Sequence, residues 1–310
     1  MPDFLIRVTL ACAAIIAALQ TGAAQDLGPA LRKIKDTGAM TIGYREASIP
    51  MSYAEPAQQP IGFALDLCAL AVDEVKQTLG LPELKIAYRP VAEAEAASQL
   101  EAGTIDIDCG GTPVSAGAGQ QAAFSNPIFL SELKWIVARR LRVEREGRRR
   151  NYIQTISPSS PDDLKGQQVA LTQGSPAVAL ALTLSSDRSL GLSILHAKDN
   201  AESFRLLETG KAAAVLADSV QLLGFKANAK NPDAFGFLDE AYPGTPYALM
   251  LRKDGTAFVD LVNGAIADAM KSGEYARLYA KWFESPIPPK SIALAYPMPE
   301  KLTELVKAAQ

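Results

Sequence analysis

Three cysteines and one histidine are the chain's most versatile reactive side chains, and so small a set already excludes much chemistry. Structural zinc usually takes four Cys or His ligands, so Cys68, Cys109 and His196 do not suffice for such a site. His196 ends a predicted strand and has no acid or nucleophile nearby in sequence, which points to a structural role. Glu93 and Glu95 are the candidates for proton transfer, because a carboxyl placed in a cleft can serve as general acid or base. Neither has a partner in the sequence, so the chain reads as a binding protein without cofactor or metal rather than as an enzyme. Between Arg139 and Arg150 stand seven arginines against two glutamates. Such a run could dock an anionic partner or lipid head groups, but it is read here as a solvated loop.

The compartment decides what the cysteines do. A short start with one cation, Arg7, leads into the apolar run Val8 to Leu19 and the small residues Thr21 to Ala24, the layout of a secretory signal. Cleavage is expected after Ala24. The run is shorter than the roughly 20 apolar residues a membrane helix needs, and the residues before Cys12 make a poor lipidation site. No later apolar run is long enough to cross a membrane, so the mature protein is expected to be soluble and periplasmic. Export into an oxidising compartment makes a disulfide between Cys68 and Cys109 the natural reading, with two buried free thiols as the alternative. The formal net charge of -3 gives no global reason to expect nucleic acid as a partner.

The elements that position these residues follow from periodicity. Leu27 to Lys35 has helical spacing, and Ala39 to Tyr44 reads as a buried strand. Leu65, Cys68, Ala69, Val72, Val75 and Leu79 share one helical face. Lys85 to Val91 alternates as a strand, Glu93 to Ala102 returns to helix, and Thr104 to Asp108 is a short strand ending at Cys109. A second series follows Pro158: a capped turn at Pro161 to Gly166, strand Gln168 to Leu171, helix Ala177 to Leu184, strand Leu192 to His196, helix Ala201 to Thr209 and strand Ala213 to Ala217. Strand-helix alternation implies parallel pairing in α/β units. Ile128 to Ala138 and Tyr247 to Arg252 are apolar enough to be strands crossing between the two units. Helices Thr256 to Lys271 and Tyr275 to Phe283 then return the chain to the first unit, against which Trp282 and Phe283 should pack.

Short segments along nearly the whole chain resemble periplasmic solute-binding protein family 3 of ABC importers, most closely its glutamate and aspartate receptors. They include Gly43-Tyr-Arg-Glu46, Gly62-Phe-Ala-Leu-Asp-Leu-Cys68, Asp106-Ile-Asp-Cys-Gly110, Gln121-Ala-Ala-Phe-Ser125, Ser203-Phe-Arg-Leu-Leu-Glu208, Leu251-Arg-Lys-Asp254 and Lys281-Trp-Phe283 before Pro286-Ile-Pro-Pro289. The resemblance implies a periplasmic binding protein-like fold: two α/β lobes joined by two hinge strands, closing on a small polar ligand. Lobe one is expected over 25–132 and 242–310, and lobe two over 133–241. It also implies a membrane permease as partner, a monomeric chain, and the bridge Cys68 to Cys109.

The ligand set implied by the resemblance is Arg45, Glu93, Thr112, Thr172, Ser175, Asn200 and Asp218. Arg45 matches the arginine that meets a side-chain carboxylate in acidic amino acid receptors, and Asp218 matches the acid that meets the α-amino group. Each has a plainer alternative, Arg45 as a surface cation at a strand end and Asp218 as a helix cap. Other matched positions have changed. Ala118 replaces the arginine for the α-carboxylate, Glu93 and Ala96 replace a serine and an arginine, Gly111 and Pro113 alter a hydroxyl-rich loop, Pro176 removes an N–H donor, and Asn200 replaces a histidine. A buried carboxylate needs cations or several N–H donors, so the expected ligand is neutral or cationic rather than glutamate or aspartate. An accessory or sensor protein that has lost the amino acid site is the alternative.

Overall fold

The computed structural model describes residues 27–54, 58–114, 118–146 and 150–309. The expected signal segment, with Cys12, lies outside them. Helix α1 (Gly28–Thr37) leads into β1 (Ala39–Tyr44), a small hairpin of β2 (Ala47–Ser48) and β3 (Ser52–Tyr53), and α2 (Phe63–Leu79). Strand β4 (Lys85–Pro90), α3 (Ala96–Glu101), β5 (Ile107–Pro113), α4 (Ala118–Gln121) and β6 (Ala122–Phe124) complete the first series. The second runs through β7 (Phe129–Ala138), the hairpin β8 (Arg140–Glu146) and β9 (Arg150–Ile156), β10 (Gln168–Thr172), α5 (Pro176–Asp187), β11 (Ser193–Ala197), α6 (Asn200–Glu208), β12 (Ala214–Asp218) and α7 (Ser219–Asn228). The return consists of β13 (Phe235–Arg252), α8 (Thr256–Ser272), α9 (Glu274–Tyr279), the hairpin β14 (Pro286–Ile287) and β15 (Ile292–Ala293), and α10 (Glu300–Ala308).

One sheet carries both lobes, in the order β11-β10-β12-β7-β13-β5-β1-β4, with β6 also on β13. Its two outer sets, β4-β1-β5 and β11-β10-β12, pair in parallel, as strand-helix alternation requires. The strands between them, β7 and β13, pair antiparallel with each other and with their outer neighbours. Strand β13 begins well before the expected Tyr247. Its first half lies on β7 and its second on β5 and β6, with register shifts between Phe237 and Ala241 and between Pro243 and Pro246. Prolines fit there because an irregular stretch asks for fewer ladder N–H groups. The expected lobe boundaries thus fall inside β7 and β13.

Burial follows the strand period. In lobe two, Trp135, Val169, Leu171, Ala214 and Leu216 pack on one face with α5, whereas Ile136, Ala170 and Val215 pack on the other with Phe204 and Leu207 of α6. Successive residues face opposite ways, and helices cover both sides. The main core of lobe one joins α1, α2, α8 and α9, and there Phe63, Phe129, Tyr279 and Phe283 stack edge-on or face-on. Val220, Leu223 and Ala227 of α7 belong to the same core, so this helix ties lobe two to lobe one. Trp282 packs on lobe one as expected, with its indole N–H donating to Asp66 at 2.7 Å.

Two expectations are corrected. The strand before Cys109 runs over Ile107–Pro113, which puts the cysteine inside the ladder, and the arginine-rich segment forms the hairpin β8 and β9 rather than a loop, with Leu141 paired to Thr155 and Val143 to Ile153. Cys68 on α2 and Cys109 on β5 are bonded, which ties the helix across the sheet. The bond closes a loop with a sequence separation of 41, for which the chain-entropy account gives about 4 kcal/mol. The double variant Cys68→Ala/Cys109→Ala is expected to lower unfolding stability in urea by about 2–4 kcal/mol; an unchanged midpoint would show that the link constrains little.

Candidate functional site

All seven expected residues sit at or just beyond the carboxyl ends of parallel strands, the edge where open α/β sheets hold ligands. Arg45 follows β1, Glu93 follows β4, Thr112 lies at the end of β5, Thr172 ends β10, Ser175 follows it, Asn200 follows β11 and Asp218 ends β12.

On the lobe-one side the arginine is not a surface cation, since Arg45 is only 7% exposed. Its guanidinium donates to both oxygens of buried Asp108, at 2.7 and 2.9 Å, to the Val91 carbonyl at 3.2 Å and to the Thr112 hydroxyl at 2.9 Å. Thr112 in turn donates to Asp108 at 2.9 Å. Glycine at 110 makes this possible, because a Cβ there would lie 2.6 Å from the guanidinium carbon. Gly111, at φ +66°, holds a conformation that side chains resist and faces Met51. The charge of Arg45 is therefore neutralised inside lobe one by a bidentate pair. Asp108 was missed from sequence, although its place in Asp106-Ile-Asp108 two residues before Gly110 is a usable signal.

The lobe-two side is a relay of neutral polar groups. Thr172 donates to the Asn200 amide oxygen at 2.5 Å, and the Asn200 amide donates to Gln221 at 2.5 Å. Gln221 neighbours the hydroxyl of Tyr247, which reaches Asp218 from the hinge strand β13. That hydroxyl is buried yet completes no hydrogen bond of good geometry, and the Ser175 hydroxyl is likewise buried without a partner. Buried hydroxyls ordinarily find partners, so Ser175 marks a place where a polar ligand group can be held, whereas the Tyr247 hydroxyl already faces Gln221 and Asp218. Gln221 and Tyr247 carry no sequence signal beyond lying on an unassigned helix and a predicted crossing strand.

Asp218 does cap α7, accepting from the Val220 N–H at 3.1 Å, but this does not exhaust it. Its carboxyl is part-buried beside the Ser131 and Tyr247 hydroxyls, and loss of hydration pushes its pKa up to about 6 despite the hydrogen bonds that favour the charged form. It has no ion-pair partner among the described residues. Burial first, then Asp218, push the Tyr247 phenol well up, and exposed Glu93 across the cleft adds to the effect. Both lobes thus bring acid to one hydroxyl, while Arg45, the one buried arginine among the described residues, is already paired. No group of three or more His, Cys, Asp and Glu side chains able to hold a metal occurs among the described residues.

The profile of bacterial extracellular solute-binding proteins, family 3, matches residues 40–285. An L-glutamate/L-aspartate-binding protein of Pseudomonas aeruginosa is 39% identical, over 97% of this chain and 96% of its own length. A glutamate/aspartate import solute-binding protein of Escherichia coli is 33% identical, over 96% of this chain and 95% of its own length. Among solved structures, an ancestral cationic amino acid solute-binding protein superposes with a TM-score of 0.59 at 22% identity, covering 83% of this chain and 100% of its own. At that identity the likeness shows the shared two-lobed fold.

Two tests follow from the geometry. Asp108→Ala strands Arg45 in the core and should destabilise by about 3–5 kcal/mol, whereas Arg45→Met/Asp108→Leu, which removes both charges, should lose much less; equal losses in urea unfolding would contradict the buried pair. Asp218 has a folded pKa above its unfolded value of 3.8. The native state therefore holds the extra proton between about pH 4 and pH 6, and stability should fall as pH rises through that window, by at most about 3 kcal/mol. Asp218→Asn, which can still cap α7, should flatten that fall.

Proposed function

Because the chain belongs to the bacterial extracellular solute-binding proteins, family 3, we propose that it is the periplasmic amino acid-binding component of an ABC importer, with a ligand that offers an ammonium group to Asp218 and is neither glutamate nor aspartate. The protein works as a monomer, closes lobe two (133–241) on lobe one (25–132 and 242–310), and delivers its ligand to a membrane permease without chemistry. One observation carries the choice of ligand: a part-buried carboxyl at the lobe boundary with hydroxyl neighbours and no ion-pair partner among the described residues. An ammonium ligand supplies the missing charge, and a hydrogen bond between charged groups is among the stronger kind.

A dicarboxylate would instead need cations. Arg45 is already paired with Asp108, and positions 96 and 118 are alanines. The names of the curated relatives favour glutamate and aspartate, and those relatives supply the rival prediction. Thr172, Ser175, Asn200 and Tyr247 are neutral groups suited to one carboxylate or a polar side chain, with Thr112 and Glu93 lining the opposite wall.

Calorimetry on the mature protein with lysine, ornithine, neutral amino acids, glutamate and aspartate tests the reading. We expect saturable binding of a cationic or neutral amino acid, weak binding of the dicarboxylates, and a loss of at least about tenfold in Asp218→Asn, as expected for a hydrogen bond to a charged group. Affinity should rise with pH until Asp218 is ionised near pH 6 and then level off. Tight glutamate binding would overturn the ligand but leave the importer role; binding of none of these would favour the accessory or sensor reading.

A further inference from the structure

A cavity of about 490 Å³ opens between the segment 294–299, the first residue of α10 and the faces of β7, β13 and α7. Three cations line it: Lys134 from β7, Arg139 just past the end of β7, and Lys226 in the last turn of α7. None of the three has an ion-pair partner within 4 Å among the described residues.

Arg139 is exposed but lies against the sheet. Its guanidinium lies across Gly236 of β13, where a Cβ would sit 2.9 Å from Nε and 3.1 Å from one terminal nitrogen. Lys226 is half-buried beside it, and its amine is pushed below the ordinary range by burial first and by Arg139 second, with only Asp233 opposing. Lys134 rests over the Tyr296 ring at 5.6 Å. The same cavity has acids: Glu132, on the same face of β7 as Lys134, accepts from the Tyr296 hydroxyl at 3.3 Å, and Asp239 and Glu300 are exposed. Two neighbouring cations, one of them half-buried, repel each other, and an oxyanion between them relieves the repulsion and the hydration lost by Lys226.

We propose that this cavity is a second binding site, for a small multivalent oxyanion of the phosphate class, gripped by Arg139 and Lys226 with Lys134 at its mouth. The site spans the C-terminal segment and the lobe-two elements, so its occupant holds the seam between them. Helix α7 carries Asp218 at its N-terminus and Lys226 in its last turn. A shift of this one helix is therefore felt at both sites, which makes the oxyanion a modulator of amino acid binding.

The test is a thermal-shift and calorimetric titration of the full mature chain with inorganic phosphate against sodium chloride of equal ionic strength. We expect a saturable stabilisation by phosphate, weakened at least tenfold in Lys226→Met and in Arg139→Gln, and unchanged in the control Lys85→Met on exposed β4 at the lobe-one edge of the sheet. The stabilisation should persist in Asp218→Asn. No saturable response, a response that survives both cavity variants, or one abolished by Asp218→Asn alone would overturn the proposal.

Discussion

The antiparallel pairing of β7 with β13 is the constraint on which the remaining structure depends. It joins two parallel strand sets within one sheet and runs each parallel set toward the other at its carboxyl end. Loops that leave those ends have no choice but to meet. The same two strands bring Tyr247 and Ser131 to the seam, so the hinge is also part of the site wall. Helix α7 adds a second link, because its apolar face is shared with the lobe-one core while its N-terminus is capped by Asp218.

Charge is then distributed in a way that restricts the ligand. On one side of the cleft a full bidentate pair, Arg45 with Asp108, fixes the end of β5 beside the Cys68–Cys109 bond and uses up the cation. On the other, Asp218 is partly withdrawn from water without receiving an opposite charge from the described residues. The internal arginine pair fixes one side, and the unpaired acid on the other is the basis of the proposed ammonium-bearing ligand. Burying an unpaired carboxylate is unfavourable in the free protein and becomes favourable once an ammonium meets it.

Much of this was legible in the sequence. Parallel strands buried on both faces read as short apolar runs, and β1, β10, β11 and β12 are found within a residue or two of where periodicity puts them. The first half of β13 was not legible, because Asp239, Glu240, Pro243 and Gly244 have loop chemistry and become strand only through register shifts against β7. Helix α7 was passed over although Asp218-Ser219 is a good capping pair. In β8, the alternation Arg140, Leu141, Arg142, Val143 was a strand signal obscured by charge. At the candidate site, the residues implied by the resemblance fall at the carboxyl ends of parallel strands, but it could not reveal that Arg45 turns inward to Asp108, nor that Gln221 and Tyr247 lie beside Asn200 and Asp218, since those depend on which groups the fold brings together.

The claim that Asp218 receives an ammonium is tested most directly by counting protons. Calorimetry of amino acid binding near pH 5.5, in two buffers of different ionisation enthalpy, reports the protons exchanged per ligand bound. A cation that meets Asp218 must displace the proton which burial has placed there, so a net release is expected, and the release should vanish in Asp218→Asn. Binding with no proton release, or with proton uptake, would contradict the account.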